Sequence, residues 1–229
     1  MKEFKIRCSQ IGQIMSEPRS KKDKEAGLLS KTAQSYCKDW VKEQIYSRRK
    51  EFTSKYTDKG NIMEDNSIDV ISDHLDLGML LENEIQSDNG TMTGTPDIIT
   101  KEFIIDVKNS WDCFTFPLFD IIPNKDYYYQ LQGYMNLTGK WKAKLIYVLS
   151  NTPDHLIDRE AYYYCKNNGY DEGDNDILTE FYDKMTYDKI DIKHKIKIFE
   201  IARDQDVINK INSQVEKCRN YIKTLKLKL

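Results

Sequence analysis

The sequence predicts an α/β (α+β) fold in which a central mixed β-sheet is flanked by helices. Three observations carry this. The stretch GTPDIITKEFIIDVK (94–108) reads as two short strands joined by a turn. The segments 58–75 and 125–138, on either side of it, repeat apolar residues at helical spacing. A third, continuously apolar strand, AKLIYVL (143–149), follows the second helix. With a further strand and connections in 76–93, the middle of the chain alternates helices and strands as an α/β core does.

The 229 residues are read as one domain, 1–229. A hydrophobic content of 39% with 31% charged residues fits a soluble globular protein without a disorder signature. No apolar run is long enough to cross a bilayer, and the start MKEFKIRCSQ lacks the apolar core of a signal peptide. The five cysteines (Cys8, Cys37, Cys113, Cys165 and Cys218) are dispersed without CxxC spacing. That argues for a reducing, cytoplasmic compartment and against a zinc site or a disulfide framework. A net charge of −2 excludes a globally basic nucleic-acid binder but not a locally positive groove.

In chain order, Phe4–Cys8 is a short extended start, followed by a helix capped by Ser9 and carrying Ile11, Ile14 and Met15. Arg7 and Ser9 fit two readings: a phosphate contact at a helix N-terminus, or an ordinary cap beside a surface arginine. Residues 17–30 are polar and lysine-rich and read as a loop. Residues 31–47 are a helix with Ser30 or Thr32 as cap. The run Arg48-Arg49-Lys50 after it is either a solvated helix end or a backbone-phosphate contact. The helix over Asp58–Leu75 carries Gly60 and Glu64 four residues apart, on one face. Residues 111–126 form an ordered loop rich in aromatics, which either line a channel or pack into a core. The helix over 125–138 presents Tyr127, Leu131, Tyr134 and Met135 to one side and stops at Gly139. Helices around 154–167 and 177–187, a strand over 194–202 and a last helix over 205–227 complete the chain. The last helix carries Lys210, Lys217, Arg219 and Lys223 on its polar face, which is either solvated or turned to DNA or a partner.

The chemistry concentrates in 94–108. Alternation along a strand puts Asp106 and Lys108 on one face and Val107 on the other. Buried charges of this kind need partners, and a divalent metal with a phosphate substrate would supply them. Glu64 on a helix, Pro96-Asp97, Asp106-Val107-Lys108 on a strand and Gln130-xxx-Tyr134 on the next helix follow the layout of a PD-(D/E)xK nuclease, with its restriction-endonuclease-like core. Phosphodiester cleavage needs an activated water and neutralisation of a negatively charged transition state. Mg²⁺ or Mn²⁺ on hard oxygen ligands serves both needs. Asp97, Asp106 and the Val107 carbonyl are candidate ligands, and Glu64 binds the metal or its water. Lys108 orients or helps deprotonate the water and stabilises charge on the phosphate. Gln130 and Tyr134 contact the site or the DNA strand, although Tyr134 fits a core position equally well.

Within that superfamily the chain resembles the phage lambda exonuclease family, the YqaJ-type viral recombinase nucleases. The residues that carry the resemblance are KIRCSQIGQIM (5–15), Gly60-xxx-Glu64, GTPDII (94–99), IIDVK (104–108) and YYQLQGYMNLTG (128–139). It covers roughly residues 4–150. The resemblance implies a two-metal, Mg²⁺-dependent exonuclease that degrades one strand of duplex DNA from the 5′ end and leaves a 3′ single strand for an annealing protein. It also implies a ring-shaped trimer, with Arg7 and Ser9 at the 5′ phosphate. Asp106 stands where the family often has Glu. Two other readings stay open: a RecB-type nuclease of different polarity, and an inactive nuclease fold kept as a DNA-binding subunit. Some RecB-type nucleases hold an iron–sulfur cluster, and the isolated Cys165 and Cys218 do not fit one.

Overall fold

The computed structural model describes residues 2–50, 54–76 and 78–227. Its strands are β1 (Ile6–Arg7), β2 (Ser87–Asp88), β3 (Met92–Gly94), β4 (Ile98–Ile99), β5 (Ile104–Asn109), β6 (Lys142–Val148) and β7 (Ile196–Ala202). Its helices are α1 (Ile11–Met15), α2 (Lys21–Glu25), α3 (Lys31–Tyr46), α4 (Lys55–Leu75), α5 (Lys125–Thr138), α6 (Asp154–Asn168), α7 (Asn175–Met185) and α8 (Gln205–Lys226). The main sheet has the order β4-β5-β6-β7 and is mixed: β5 and β6 run parallel, while β4 and β7 are antiparallel to their neighbours. A parallel pair cannot be closed by a tight turn, and the loop from Ser110 to Asn124 with α5 makes the crossover. A second, small sheet has the order β1-β3-β2.

The alternation of β5 divides the core. Ile104 joins Leu145, Phe199, Leu131 and Met135 in the cluster that also takes in α1, α3 and α8. Ile105 and Val107 face the other way, against Ile68 and Ile71 of α4. The sheet is therefore a layer between α4 on one face and α5 with α8 on the other. Trp111 leaves the end of β5 and packs with Leu156, Ile157 and Met185 of α6 and α7.

Several elements differ from expectation. The first strand of the central pair does not run through Gly94–Asp97. β3 stops at Gly94 and belongs to the small sheet, and only Ile98–Ile99 pairs with β5. Pro96 stands between them without an N–H to give to a ladder. The loop over 17–30 contains the short helix α2, capped by the Ser20 side chain. α4 begins three residues early because Ser54 and Thr57 form a reciprocal capping box. Ser9 is not a cap: it is exposed within a 3₁₀ turn, Cys8–Gln10, and α1 starts at Ile11. α5 begins and ends where its pattern placed it, capped by Asn124 and stopped by Gly139 at φ 73°.

Lys59 on α4 is fully buried. Its Nζ donates to the Trp111 carbonyl at 2.9 Å and to the Ser150 carbonyl at 2.8 Å. The side chain thus ties α4 to the chain just past the ends of β5 and β6. Burial pushes its pKa down to about 8, with Asp112 opposing.

Candidate active site

The register of the β4–β5 hairpin assembles the site. Ile98 stands opposite Ile105 and Ile99 opposite Ile104. The residue before β4, Asp97, therefore arrives beside Asp106 and Val107. β4 ends there, so the β5 edge beyond Ile105 has no strand on that side. The Asp97 Oδ2 takes its place and accepts the Val107 N–H at 2.7 Å. The N–H and C=O of one strand residue point to the same edge, so the Val107 carbonyl also faces the open edge on which Asp97 sits.

Asp106 is completely buried on the α5 side of the strand. Gln130 Nε2 donates to its Oδ1 at 3.0 Å and to the Tyr134 hydroxyl at 3.0 Å. The i, i+4 spacing on α5 thus brings Gln130 and Tyr134 to the site together. Lys108 Nζ lies 2.7 Å from Asp106 Oδ2. Lys108 is the one group that approaches Oδ2 among the described residues, and its geometry there is poorly aligned. Its remaining N–H groups have no partner among the described residues. Its ammonium is held by charge on one side and by the Tyr127 ring, 5.0 Å away, on the other.

The electrostatics match this geometry. Burial, and next the Asp106 carboxylate, push the Asp97 carboxyl well above the usual carboxylate range, and Lys108 and the Val107 N–H offset this only in part. Burial alone would lower the Lys108 pKa, but Asp106 and Asp97 outweigh it and hold the ammonium protonated. Burial and the nearby Glu82 raise Glu64 on half-buried α4, with Asp106 adding and Lys108 opposing. Glu64 thus shares the field of the site. Tyr134 is buried, and burial with Asp106 and Asp97 raises its hydroxyl.

These observations bear on a divalent cation. Two close carboxylates, one raised by the other, and a buried carboxylate oxygen approached by one poorly aligned ammonium form a hard-oxygen site short of positive charge. The donor set fits Mg²⁺ or Mn²⁺. Among the described residues no three His, Cys, Asp or Glu side chains converge on a point. The candidate donors are therefore Asp97, Asp106 and the Val107 carbonyl, with Glu64 in the same electrostatic field.

Arg7 and Ser9 lie outside this group. Arg7 approaches Glu43 at 3.9 Å. With Gln10, Lys31, Trp40 and Lys50 it lines a cleft of about 1050 Å³ between α1, α3 and the start of α4. The carboxylates do not line that cleft. Of the basic runs, Arg49 and Lys50 border the cleft, and Lys50 pairs with Asp39 at 2.7 Å. Arg219 on α8 is committed to structure: it donates to the Phe4 and Gly90 carbonyls and pairs with Glu216. In the aromatic loop Trp111 and Phe116 are buried, whereas Phe114 and Phe119 are exposed.

Sequence reasoning placed Tyr127 in the apolar face of α5 and missed that it covers Lys108. The signal was its i, i+3 spacing to Gln130. It also missed Cys8, whose thiol is buried and pushed up to about 12 by burial and then Asp106. Cys8 and Tyr134 close around Gly94: a Cβ there would lie 2.6 Å from Tyr134 Cε1 and 3.0 Å from Cys8 Cβ. Gly94→Ala is expected to displace Tyr134 and with it Gln130. Overpacking of this kind costs about 1–3 kcal/mol, read as a lower midpoint in urea, and the loss should disappear when Tyr134 is shortened to Leu in the same chain.

No family model matches the chain, and no curated protein matches it. Solved structures do. A phage-related exonuclease from Haemophilus somnus 129PT is 30% identical, with a TM-score of 0.79 over 99% of this chain and 97% of that one. The alkaline exonuclease LHK-Exo from Laribacter hongkongensis shares the fold, with a TM-score of 0.63 at 14% identity over 98% of this chain and 92% of its own. With 30% identity over nearly the full length of both chains, the protein belongs to the phage lambda exonuclease family.

Proposed function

We propose that the protein is a metal-dependent 5′→3′ exodeoxyribonuclease that digests one strand of linear duplex DNA and leaves 3′ single strands for recombination. One observation carries the reading: Asp97, Asp106 and Lys108 meet beside the open edge of β5, where the one group that approaches the buried Asp106 Oδ2 is the Lys108 ammonium. The PD-(D/E)xK pattern and the family's exonuclease activity support it. Partners under this reading are double-stranded DNA and a single-strand annealing protein, and the family resemblance supports a trimer.

A divalent cation, Mg²⁺ or Mn²⁺ and two per site by resemblance, supplies Lewis-acid stabilisation of the phosphoryl oxygens and an acidified water. Asp97, Asp106 and the Val107 carbonyl would hold it, with Glu64 acting through a bound water. The rest falls to the chain's own side chains. Lys108 has uncommitted N–H groups and a raised pKa. It therefore acts as a donor that orients the attacking water and takes up charge on the phosphoryl oxygens. Gln130 fixes the Asp106 carboxylate by its Oδ1 and leaves Oδ2 toward the site. Tyr134 holds Gln130 in turn. Arg7 and Ser9 are assigned to the 5′ phosphate, and in the neighbouring cleft Arg7, Lys31, Arg49 and Lys50, which outnumber Asp39 and Glu43, stand with Trp40 to meet a DNA end.

The test uses duplexes labelled at the 5′ or the 3′ end, a closed circle and single strands, each with Mg²⁺ and with EDTA. Linear duplex should be shortened from its 5′ ends only, and only with metal. Cutting of the closed circle would make the protein an endonuclease. Shortening from 3′ ends would favour the RecB-type reading, and binding without digestion would favour the inactive DNA-binding subunit.

A further inference from the structure

We propose that Tyr127 is a positioning residue for Lys108, and that its ring aims the ammonium at the reacting phosphate. This rests on the reading of Lys108 as a donor to substrate.

An ammonium has three N–H groups. Here Asp106 Oδ2, 2.7 Å away, takes at most one of them, and the other two have no partner among the described residues. A lysine side chain held at a single oxygen has many rotamers that keep the distance and change the direction of its other N–H groups. A second contact is needed to select one, and the Tyr127 ring face supplies it. The ring lies 5.0 Å from Nζ, within the range of attraction between a cation and an aromatic face. Such a contact leaves the N–H groups free, which a hydrogen-bonding partner would not.

The ring is itself braced. Tyr147 stands opposite Lys108 in the β5–β6 register. Its ring meets Tyr127 edge-on at 6.1 Å and 65°, and meets Phe199 of β7 at 6.0 Å and 78°. Three aromatic rings in edge-to-face contact run from the far strand of the sheet to the ammonium. Tyr127 stands three residues before Gln130 on α5, so one face of that helix holds both charged residues of β5: Gln130 holds Asp106 and Tyr127 holds Lys108. Simple packing would also place a tyrosine here. It would not require an aromatic ring at this position in particular, and that difference can be measured.

The experiment compares Tyr127→Phe and Tyr127→Leu with the wild type on linear duplex with Mg²⁺, measuring kcat and KM separately. The Phe variant keeps the ring and is expected to keep kcat. The Leu variant keeps apolar bulk and is expected to lose about 3- to 30-fold in kcat, with KM nearly unchanged. Unchanged kcat in Leu, or an equal loss in Phe, overturns the proposal. A second readout needs no activity: in protein labelled at lysine Cε, ring current should move the Lys108 Hε resonance upfield of the exposed lysines. That resonance is assigned by its absence in Lys108→Arg. It should stay in Tyr127→Phe and shift back in Tyr127→Leu. A wild-type Lys108 resonance at the position of the exposed lysines overturns the proposal even where the Leu variant fails to fold. A wild type that digests nothing would sink the proposed function, and the spectrum would still place Lys108 on or off the ring.

Discussion

Asp106→Asn is expected to leave the protein folded and to reduce digestion of linear duplex by about 10³-fold or more. The substitution keeps the shape of the side chain and leaves one oxygen able to accept from Gln130 Nε2. It removes the charge that, with Asp97, would hold a cation at the edge of β5 under the proposed function. It also removes the anion 2.7 Å from Lys108, so the ammonium loses the stronger of its two holds. Both losses fall on the candidate site and neither removes an apolar contact of the core. Thermal unfolding and circular dichroism should therefore match the wild type within a few degrees while the rate collapses. Equal activity in the variant would mean that Asp106 is a buried structural acid and that the chemistry lies elsewhere.

Stability should rise by about 2 kcal/mol between pH 7.5 and pH 9.5 in the wild type relative to Lys59→Met. Burial holds Lys59 near pKa 8 in the fold, below the 10.5 of an ordinary lysine. Between those values the unfolded chain binds more protons than the folded one, so stability increases as pH climbs through the window. Below it, the fold bears the cost of a charged amine at a fully buried position. Above it, the neutral amine still has two N–H groups for its two carbonyls, Trp111 and Ser150. Methionine fits the volume but leaves both carbonyls unpaired, at about 1–3 kcal/mol each. At pH 7.5 relief of the buried charge offsets much of that loss, and at pH 9.5 it does not. The destabilisation by Lys59→Met should therefore grow with pH. Urea unfolding of both chains at the two pH values gives the difference, which cancels the titration of other groups such as Tyr187. Parallel curves would show that Lys59 is not held at a depressed pKa.

What could be read from the sequence, and what could not, divides along physical lines. Asp97, Asp106, Lys108 and Gln130 were legible because period-two and period-3.6 spacing fix which side chains share a face. A hairpin then converts that into proximity. The end of α5 was legible because Gly139 takes the left-handed conformation that stops a helix. The break between β3 and β4 was not, because a run of β-formers hides the effect of a single Pro96. Ser9 was misplaced because a 3₁₀ turn and an α-helix begin with the same residue types. Arg219 read as a cation on a polar helix face, and nothing in the sequence singled out Lys59. Their partners are backbone carbonyls remote in sequence, and no local pattern announces those. Tyr127 read as core for the same reason: a helix face is local information, and the lysine under the ring comes from another element.

The central claim is that Asp97 and Asp106 hold a divalent cation at the open edge of β5. Anomalous diffraction from crystals of the protein soaked in Mn²⁺ tests it most directly. The account expects a peak in contact with both carboxylates, present in the wild type and absent in Asp106→Asn. Anomalous density elsewhere on the molecule, with none between Asp97 and Asp106 in a preparation that digests DNA with Mn²⁺, would contradict it.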